Sequence, residues 1–291
     1  MKAAPFSYHA PSSVDEAVGL LGRLEDAKIL AGGQSLVAMM NMRFVQPSHV
    51  IDINGLDDLA AISRADGAVG IGAMTRQAAL MQSDVIARDL PVMADALAHV
   101  GHFQTRNRGT IGGSLCHLDP AAELAAVAAL YDAEITVAGG GGTRVVPFAE
   151  WPLGYMMPSL APEELATEIT FPLWPAAPGH AFVEFSRRHG DFAIVAVGCL
   201  MVVDAAGAIS RVAIAVAGAD QVVRRLAGVE AALVGETADA GTFAEASRLA
   251  GEMNAMDDAH VSAGYRQRLA RVLTERALGE AARRAGAGAR I

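Results

Sequence analysis

The sequence predicts a mixed α/β protein in two parts, an α/β first domain and a smaller α+β second one. Three observations carry that expectation. In the first quarter, short apolar runs alternate with helix-spaced segments. Beyond residue 180, three β-rich runs come first and helical segments follow them, which predicts a small antiparallel sheet plus helices. Between the two halves lies PLWPAAPGH, Pro172 to His180, the best linker in the chain. The 291 residues suit about two domains at roughly 150 residues each. The boundary is placed in that linker, giving domains 1–176 and 177–285.

Ser13-Val14-Asp15-Glu16 has capping-box spacing, and Val14, Val18 and Leu21 follow at helical intervals until Gly22. Lys28 to Ala31 reads as a strand that stops at Gly32-Gly33, after which Leu36, Met39 and Met40 suggest a helix. Val50 to Ile53 and Ala68 to Gly72 read as strands, and helices are expected from about Thr75 and over Leu90 to Val100. HFQTRNRGTIGGS, 102–114, reads as a polar loop, and Asp119-Pro120 as the cap and first residue of an alanine-rich helix. Strands over Glu134 to Val137 and Arg144 to Phe148 flank a turn at Gly139 to Gly142. After the linker come strands over Ala181 to Phe185, Ile194 to Val203 and Ile209 to Ala217, with a hairpin turn at Asp204 to Gly207. Helices over Leu226 to Val234, Phe243 to Gly251 and Ser262 to Leu278 complete the chain, and the Ala/Gly/Arg tail after Leu278 is expected to fray.

Composition narrows the function. Lys and Arg number 23 against 32 Asp and Glu, a net charge of −9 with no long basic run, so nucleic acid is not an expected partner. Charged residues interrupt every apolar stretch before the about 20 residues a membrane-spanning helix needs, so no integral membrane segment is expected. The N-terminus lacks the apolar core of a signal peptide, and the chain reads as cytoplasmic. Cys116 and Cys199 are too few for a disulfide framework, a zinc site or a four-cysteine iron–sulfur cluster, so redox chemistry would need an organic cofactor.

The 30 glycines are the sharper clue. Ala31-Gly32-Gly33-Gln34-Ser35 follows a strand and opens a helix, an arrangement whose N–H groups can converge on an anion. Thr110-Ile111-Gly112-Gly113-Ser114 repeats the pattern, and two such loops could bracket one diphosphate. Each pair alone also suits an ordinary left-handed turn. Neither matches the Rossmann fingerprint or the P-loop.

Four segments resemble a known family: KILAGGQSL (28–36), RNRGTIGGSLCHLDPAAEL (106–124), SRRHGDFAIVAVG (186–198) and YRQRLARVLTERAL (265–278). The family is the flavoprotein, or medium, subunit of the molybdenum hydroxylases, which includes the FAD-binding subunits of aerobic carbon monoxide dehydrogenase and nicotine-type N-heterocycle dehydrogenases and the FAD domain of xanthine dehydrogenase. The resemblance implies a two-part PCMH-type FAD-binding domain followed by a C-terminal domain of the carbon monoxide dehydrogenase flavoprotein type. It implies noncovalent FAD, with the pyrophosphate between Ala31, Gly32, Gly33, Gln34 and Ser35 on one side and Thr110, Ile111, Gly112, Gly113 and Ser114 on the other. Leu30 and Leu36 would flank the first loop, and Asp119 would reach the adenosine portion, a role that stands beside its reading as a helix cap. Arg187, Arg188 and Asp191 carry the family's RRxGD pattern, which the resemblance sets over the flavin, where an arginine favours the anionic reduced ring. Their other reading is a surface charge pair. Several relatives carry Lys two residues before the position of Ser186, where this chain has Glu184.

The resemblance further implies that a large molybdopterin subunit oxidises the substrate and a small subunit with two [2Fe-2S] clusters relays electrons to FAD, in a heterotrimer or its dimer. An N-heterocycle is the favoured substrate, with carbon monoxide or an aldehyde as alternatives. A self-contained flavin oxidoreductase and a noncatalytic nucleotide-gripping assembly protein are the rival functions. No catalytic residue and no metal ligand is assigned to this chain. His99, His102 and His117 read as ordinary loop histidines and Cys116 as a buried thiol. Phe148, Trp151 and Tyr155 read as core, with one member able to touch the flavin ring, and Met39, Met40 and Met42 as helix packing.

Overall fold

The computed structural model describes residues 2–286. Its first layer is a parallel three-stranded sheet, Ser7–His9, His49–Asp52 and Ala27–Leu30 in spatial order, with helices Val14–Leu21 and Leu36–Asn41 making the crossovers. The Ser13 hydroxyl caps the first helix by accepting from Glu16 N at 3.1 Å. The reciprocal half of the expected capping box is displaced by one residue, since the Glu16 carboxylate accepts from Ser12 N and Oγ, both at 2.8 Å. Met40 packs inward, whereas Met42 is 54% exposed and contributes nothing to helix packing.

A five-stranded antiparallel sheet forms the second layer, in the order Ile62–Ala65, Ala68–Gly72, Leu165–Pro172, Glu134–Gly139 and Gly142–Pro147. Its first and third strands are absent from the sequence-based expectation. So is helix Asp84–Asp89, capped by Ser83. The expected loop over 102–114 is instead two short helices, Phe103–Arg108 and Ile111–His117, the second capped by Thr110. Asp119 does not cap the alanine-rich helix, which opens at Glu123 with Ala122 at its N-cap. It accepts from Ala121 N at 2.8 Å, a local turn of the kind Asp favours.

The four-stranded antiparallel sheet beyond the linker runs Gly179–Phe185, Val195–Val203, Ile209–Ala217 and Arg224–Arg225. One face packs on helices Ala227–Leu233 and Ala263–Arg284, and helix Ala240–Ala250 packs on these two. That last helix continues past Leu278, where fraying was expected, because Ala281 and Ala282 are buried against the sheet; 287–291 lie outside the described residues. The other face joins the core of the first part through helix Glu123–Leu130, whose residues from Leu124 to Leu130 are all buried. A helix apolar all round belongs between two layers, and its uniform alanines let both sheets approach. Trp174 of the linker lies under the Arg211 guanidinium, 3.9 Å from the ring centroid, which ties the linker to the second sheet. Among the described residues no helix is long and apolar enough to cross a membrane.

Candidate functional site

Leu30 ends its parallel strand, and Gly32-Gly33 turns the chain at the carboxyl edge of the sheet, the edge where α/β folds hold ligands. Gly33 has φ +73°, a conformation that costs a side chain about 1 kcal/mol or more. Among the described residues, the N–H groups of Gly32, Gly33, Gln34 and Ser35 have no acceptor in the protein. Four successive unpaired donors on a loop half-buried but for Gln34 supply partial positive charge suited to an anion. Leu30 and Leu36 stand half-buried on either side of it.

The second glycine pair behaves differently. Ile111 N donates to Thr75 O at 3.2 Å, Gly112 N to Ala73 O at 2.9 Å, Gly113 N to Thr110 Oγ1 at 3.1 Å and Ser114 N to Thr110 O at 3.1 Å. All four donors are committed within the protein, so the expectation that both pairs present backbone amides is corrected for this one. Thr110, Ile111 and Gly112 are buried and fix the segment on Ala73 and Thr75. Gly113 and Ser114 are half-buried, and a Cβ on Gly113 would lie 3.8 Å from the Ala31 Cβ, so Gly113 faces the first loop.

The two segments touch through backbone. A Cβ on Gly32 would overlap Arg108 O and lie 2.9 Å from both the Arg108 carbonyl carbon and Gly109 Cα. Sequence reasoning missed the residues that lock this contact. The Arg76 guanidinium donates to Arg108 O and to Asn54 Oδ1, both at 2.5 Å, and Asn54 Nδ2 donates to Ala31 O at 2.8 Å. Asp52 Oδ1 accepts from Asn54 N at 2.9 Å, while its Oδ2 accepts from Tyr8 Oη at 2.7 Å. Burial opposes ionisation of Asp52, but these hydrogen bonds outweigh it and hold the carboxyl below its usual range. Arg76 is shifted down by burial and by the charge of Arg108. The only sequence signal for this relay is Asn54 itself, placed directly after a strand.

Asp119 is half-buried, and its turn is tied to the second part by Gly218 N donating to Pro120 O at 2.7 Å. Arg187 and Arg188 reach Asp191 Oδ2 at 3.9 and 3.3 Å, and the two arginine side chains are 63% and 80% exposed. Exposed pairs of this kind contribute little to folding. Asp191→Ala is therefore expected to change stability by less than about 1 kcal/mol in urea denaturation of the ligand-free chain. A larger loss would make the pair structural. Gly190, at φ +84°, rests on Gly101 and His102, so the Arg187–Asp191 segment is set against the residues that lead into Phe103–Arg108.

Phe148 and Trp151 are core, the latter donating from Nε1 to Leu115 O at 2.9 Å, whereas Tyr155 is 56% exposed and outside it. Burial pushes the Cys116 thiol up to about 12 and keeps it neutral. No cluster of metal-binding type exists among the described residues. A surface cavity of about 400 Å³ lined by Ser12, Ser13, Asp15, Asp57 and Asp58 carries three carboxylates and no cation, which makes it a poor place for a phosphate.

Residues 4–174 match the family described as FAD binding domain in molybdopterin dehydrogenase, and residues 180–281 match the CO dehydrogenase flavoprotein C-terminal domain. The chain is 40% identical over 287 residues to the 6-hydroxypseudooxynicotine dehydrogenase complex subunit alpha of Paenarthrobacter nicotinovorans, covering 98% of this chain and 97% of that one. It superposes with a TM-score of 0.94 and 37% identity on carbon monoxide dehydrogenase from Hydrogenophaga pseudoflava lacking the Mo-pyranopterin moiety of its cofactor, covering 98% and 99% of the two chains. Quinoline 2-oxidoreductase from Pseudomonas putida 86 gives a TM-score of 0.94 at 33% identity, covering 98% and 99%.

Proposed function

The chain belongs to the FAD-binding flavoprotein subunits of the molybdopterin dehydrogenases, and from this premise we propose that it is the electron-transfer subunit of a three-component hydroxylase. In this reading a large molybdopterin subunit oxidises the substrate, a small subunit carries two [2Fe-2S] clusters, and the three form a cytoplasmic heterotrimer or its dimer. FAD, held noncovalently, supplies two-electron acceptance and release to an external acceptor. The chain itself divides at the linker into a cofactor domain, 1–176, and a C-terminal domain, 177–285.

The observation that carries the reading is the run of unpaired amides from Gly32 to Ser35, locked by backbone contact against Arg108-Gly109. These donors, with Ala31 and the flanking Leu30 and Leu36, would take the diphosphate. Gly113 and the Ser114 hydroxyl would close the other side. Thr110, Ile111 and Gly112 act by fixing that segment, a narrower role than direct contact. Asp119 would meet the adenosine portion through the carboxylate oxygen its turn leaves over. Arg187, anchored by Asp191, would place an exposed cation against the negative charge of the cofactor.

Two of the three proteins compared above are named for substrates bearing an aromatic nitrogen ring, which favours an N-heterocycle for the complex. The equal structural match to carbon monoxide dehydrogenase supports the second reading, a carbon monoxide-oxidising complex. The full chain, expressed alone and supplied with FAD, is expected to retain a flavin absorption spectrum after desalting and to release the flavin on heat denaturation. Failure to retain any flavin would overturn the cofactor assignment. The chain isolated from its native host is expected to bring two further subunits with it, and dye reduction by N-heterocycles or by carbon monoxide separates the two substrate readings.

A further inference from the structure

The loop from Ser186 to Ala193, which carries Arg187 and Asp191, joins strands Gly179–Phe185 and Val195–Val203. Ile194 N donates to Phe185 O at 2.8 Å and closes its base. Inside the loop, Asp191 N and the Ser186 hydroxyl each donate to Arg188 O at 3.0 Å. Two adjacent residues of the last helix grip the base from outside. The Tyr265 ring meets the Phe185 ring edge-on, with centroids 6.3 Å apart and planes at 73°. Arg266 Nη1 donates to Ile194 O at 2.7 Å. Each stem of the loop is thus held by its own residue.

The same Nη1 donates to Gly218 O at 2.5 Å, and Gly218 N donates to Pro120 O at 2.7 Å. Gly218 has φ +78°, and a Cβ there would lie 2.8 Å from Ile194 O, so only glycine lets the two backbones approach closely enough for one nitrogen to reach both. Arg266 therefore links the loop to the turn that carries Asp119. Its ion-pair partner is Asp258, whose carboxyl the His260 amide, helped by that of Val261, holds below its usual range. The Arg266 side chain is 5% exposed, and its Nε has no acceptor. A buried cation with a donor left over is a poor device for stability alone, since an apolar residue of similar volume packs without the desolvation cost. An apolar side chain cannot, however, bond Ile194 O and Gly218 O together.

We infer that Tyr265 and Arg266 are positioning residues of the cofactor site, which hold the Arg187–Asp191 loop and the Asp119-Pro120 turn in one fixed relation and so set where the Arg187 cation stands. The inference rests on the FAD reading above, in which Arg187 faces the negative charge of the cofactor. A cation held in place favours the more negative, reduced form of FAD. On a loosened loop the same cation spends its time further out in solvent, where the interaction is screened. Arg266, enclosed at the base, acts through the loop.

In the ligand-free full-length chain, Arg266→Met is expected to speed tryptic cleavage after Arg187 and Arg188 at least about tenfold, while cleavage after Arg43, an exposed residue of the first part, keeps its rate. In the FAD-loaded chain, Arg187→Ala is expected to lower the preference for reduced over oxidised FAD about tenfold, a shift of about 30 mV to more negative midpoint potential. Arg266→Met should give at least half of that shift by itself and no further shift in the Arg187→Ala background. A merely structural Arg266 would lower stability and leave the potential of the folded chain where it was. Unchanged cleavage of the loop, equal acceleration at Arg43, an unshifted potential in Arg266→Met, or a shift that persists without Arg187 overturns the inference alone. If Arg266→Met does not fold, Tyr265→Leu, at a residue 37% exposed, decides by the same readings. An unshifted potential in Arg187→Ala overturns the placing of Arg187 and this inference together, and absence of FAD binding by the unsubstituted chain overturns the cofactor assignment with them.

Discussion

Gly32→Ala is expected to abolish cofactor retention, with FAD affinity reduced at least about 100-fold, or about 2.7 kcal/mol. The added methyl would overlap Arg108 O and stand 2.9 Å from Gly109 Cα, and backbone atoms cannot rotate away as a side chain would. The two segments must part, which moves the unpaired Gly32 and Gly33 amides away from Gly113 and the rest of the second segment. Overpacking of this kind also costs about 1–3 kcal/mol of stability. Gly33→Ala is the milder comparison. Its neighbours, Val37 Cγ2 at 3.1 Å and Leu30 Cδ1 at 3.2 Å, are flexible, so the main penalty is the left-handed φ. Gly141, whose Cβ would meet nothing within 4 Å, is the control, and its alanine variant should lie within about 0.5 kcal/mol of the parent. The measurement is FAD affinity by fluorescence quenching beside urea denaturation. Wild-type affinity in Gly32→Ala would mean the two segments do not jointly form the site.

The first glycine pair was legible in the sequence because its structure is local: a strand, a turn needing positive φ at Gly33 and a helix within ten residues. The second has the same residues, but Gly112 N, like Ile111 N beside it, is taken by a carbonyl nearly forty positions away, Ala73 O and Thr75 O respectively, which no local pattern reports, while Gly113 N goes to the Thr110 hydroxyl. The same cause hid Arg76, whose acceptors come from Asn54 and Arg108. Helix Phe103–Arg108 has no apolar stripe, and none of its residues is buried, so its sequence reads as a loop. Strand Leu165–Pro172 is central in its sheet, yet its final proline reads as linker. One omission was avoidable. Asp66-Gly67, both at positive φ, join Ile62–Ala65 to Ala68–Gly72, and Asp-Gly between short β-runs is a strong hairpin signal.

The packing explains why the second part matters to a site built mainly from the first. Helix Glu123–Leu130 sits in the first part's core, which also takes in one face of the second part's sheet, and Arg225 crosses the seam to donate to Ala129 O and Asp132 Oδ1, each at 2.9 Å, while pairing with Glu230. Interiors at this density transmit displacement rather than absorb it. The position of Arg187–Asp191 is thereby fixed relative to the glycine segments without any long loop between them.

Arg76→Met is expected to leave both glycine segments intact in sequence yet uncoupled in space, lowering FAD affinity about 10- to 100-fold, or about 1.4–2.7 kcal/mol. The guanidinium supplies two charge-assisted hydrogen bonds, and their loss leaves Arg108 O and Asn54 Oδ1 without donors, a stability cost of about 2–4 kcal/mol. Methionine preserves much of the stem, so the deficit reports the fork rather than the packing. Arg76→Lys restores the charge but not a planar fork that spans two acceptors, and should recover only part of the loss. A cycle with Asn54→Ala isolates the relay. If Arg76 works through Asn54 on Ala31 O, the double variant loses less than the sum of the singles, with a coupling of about 0.5–3 kcal/mol in FAD affinity. Additive losses would show that Arg76 holds the second segment alone, and that the first keeps its unpaired amides in place by the sheet edge and Gly33 without help from the second segment.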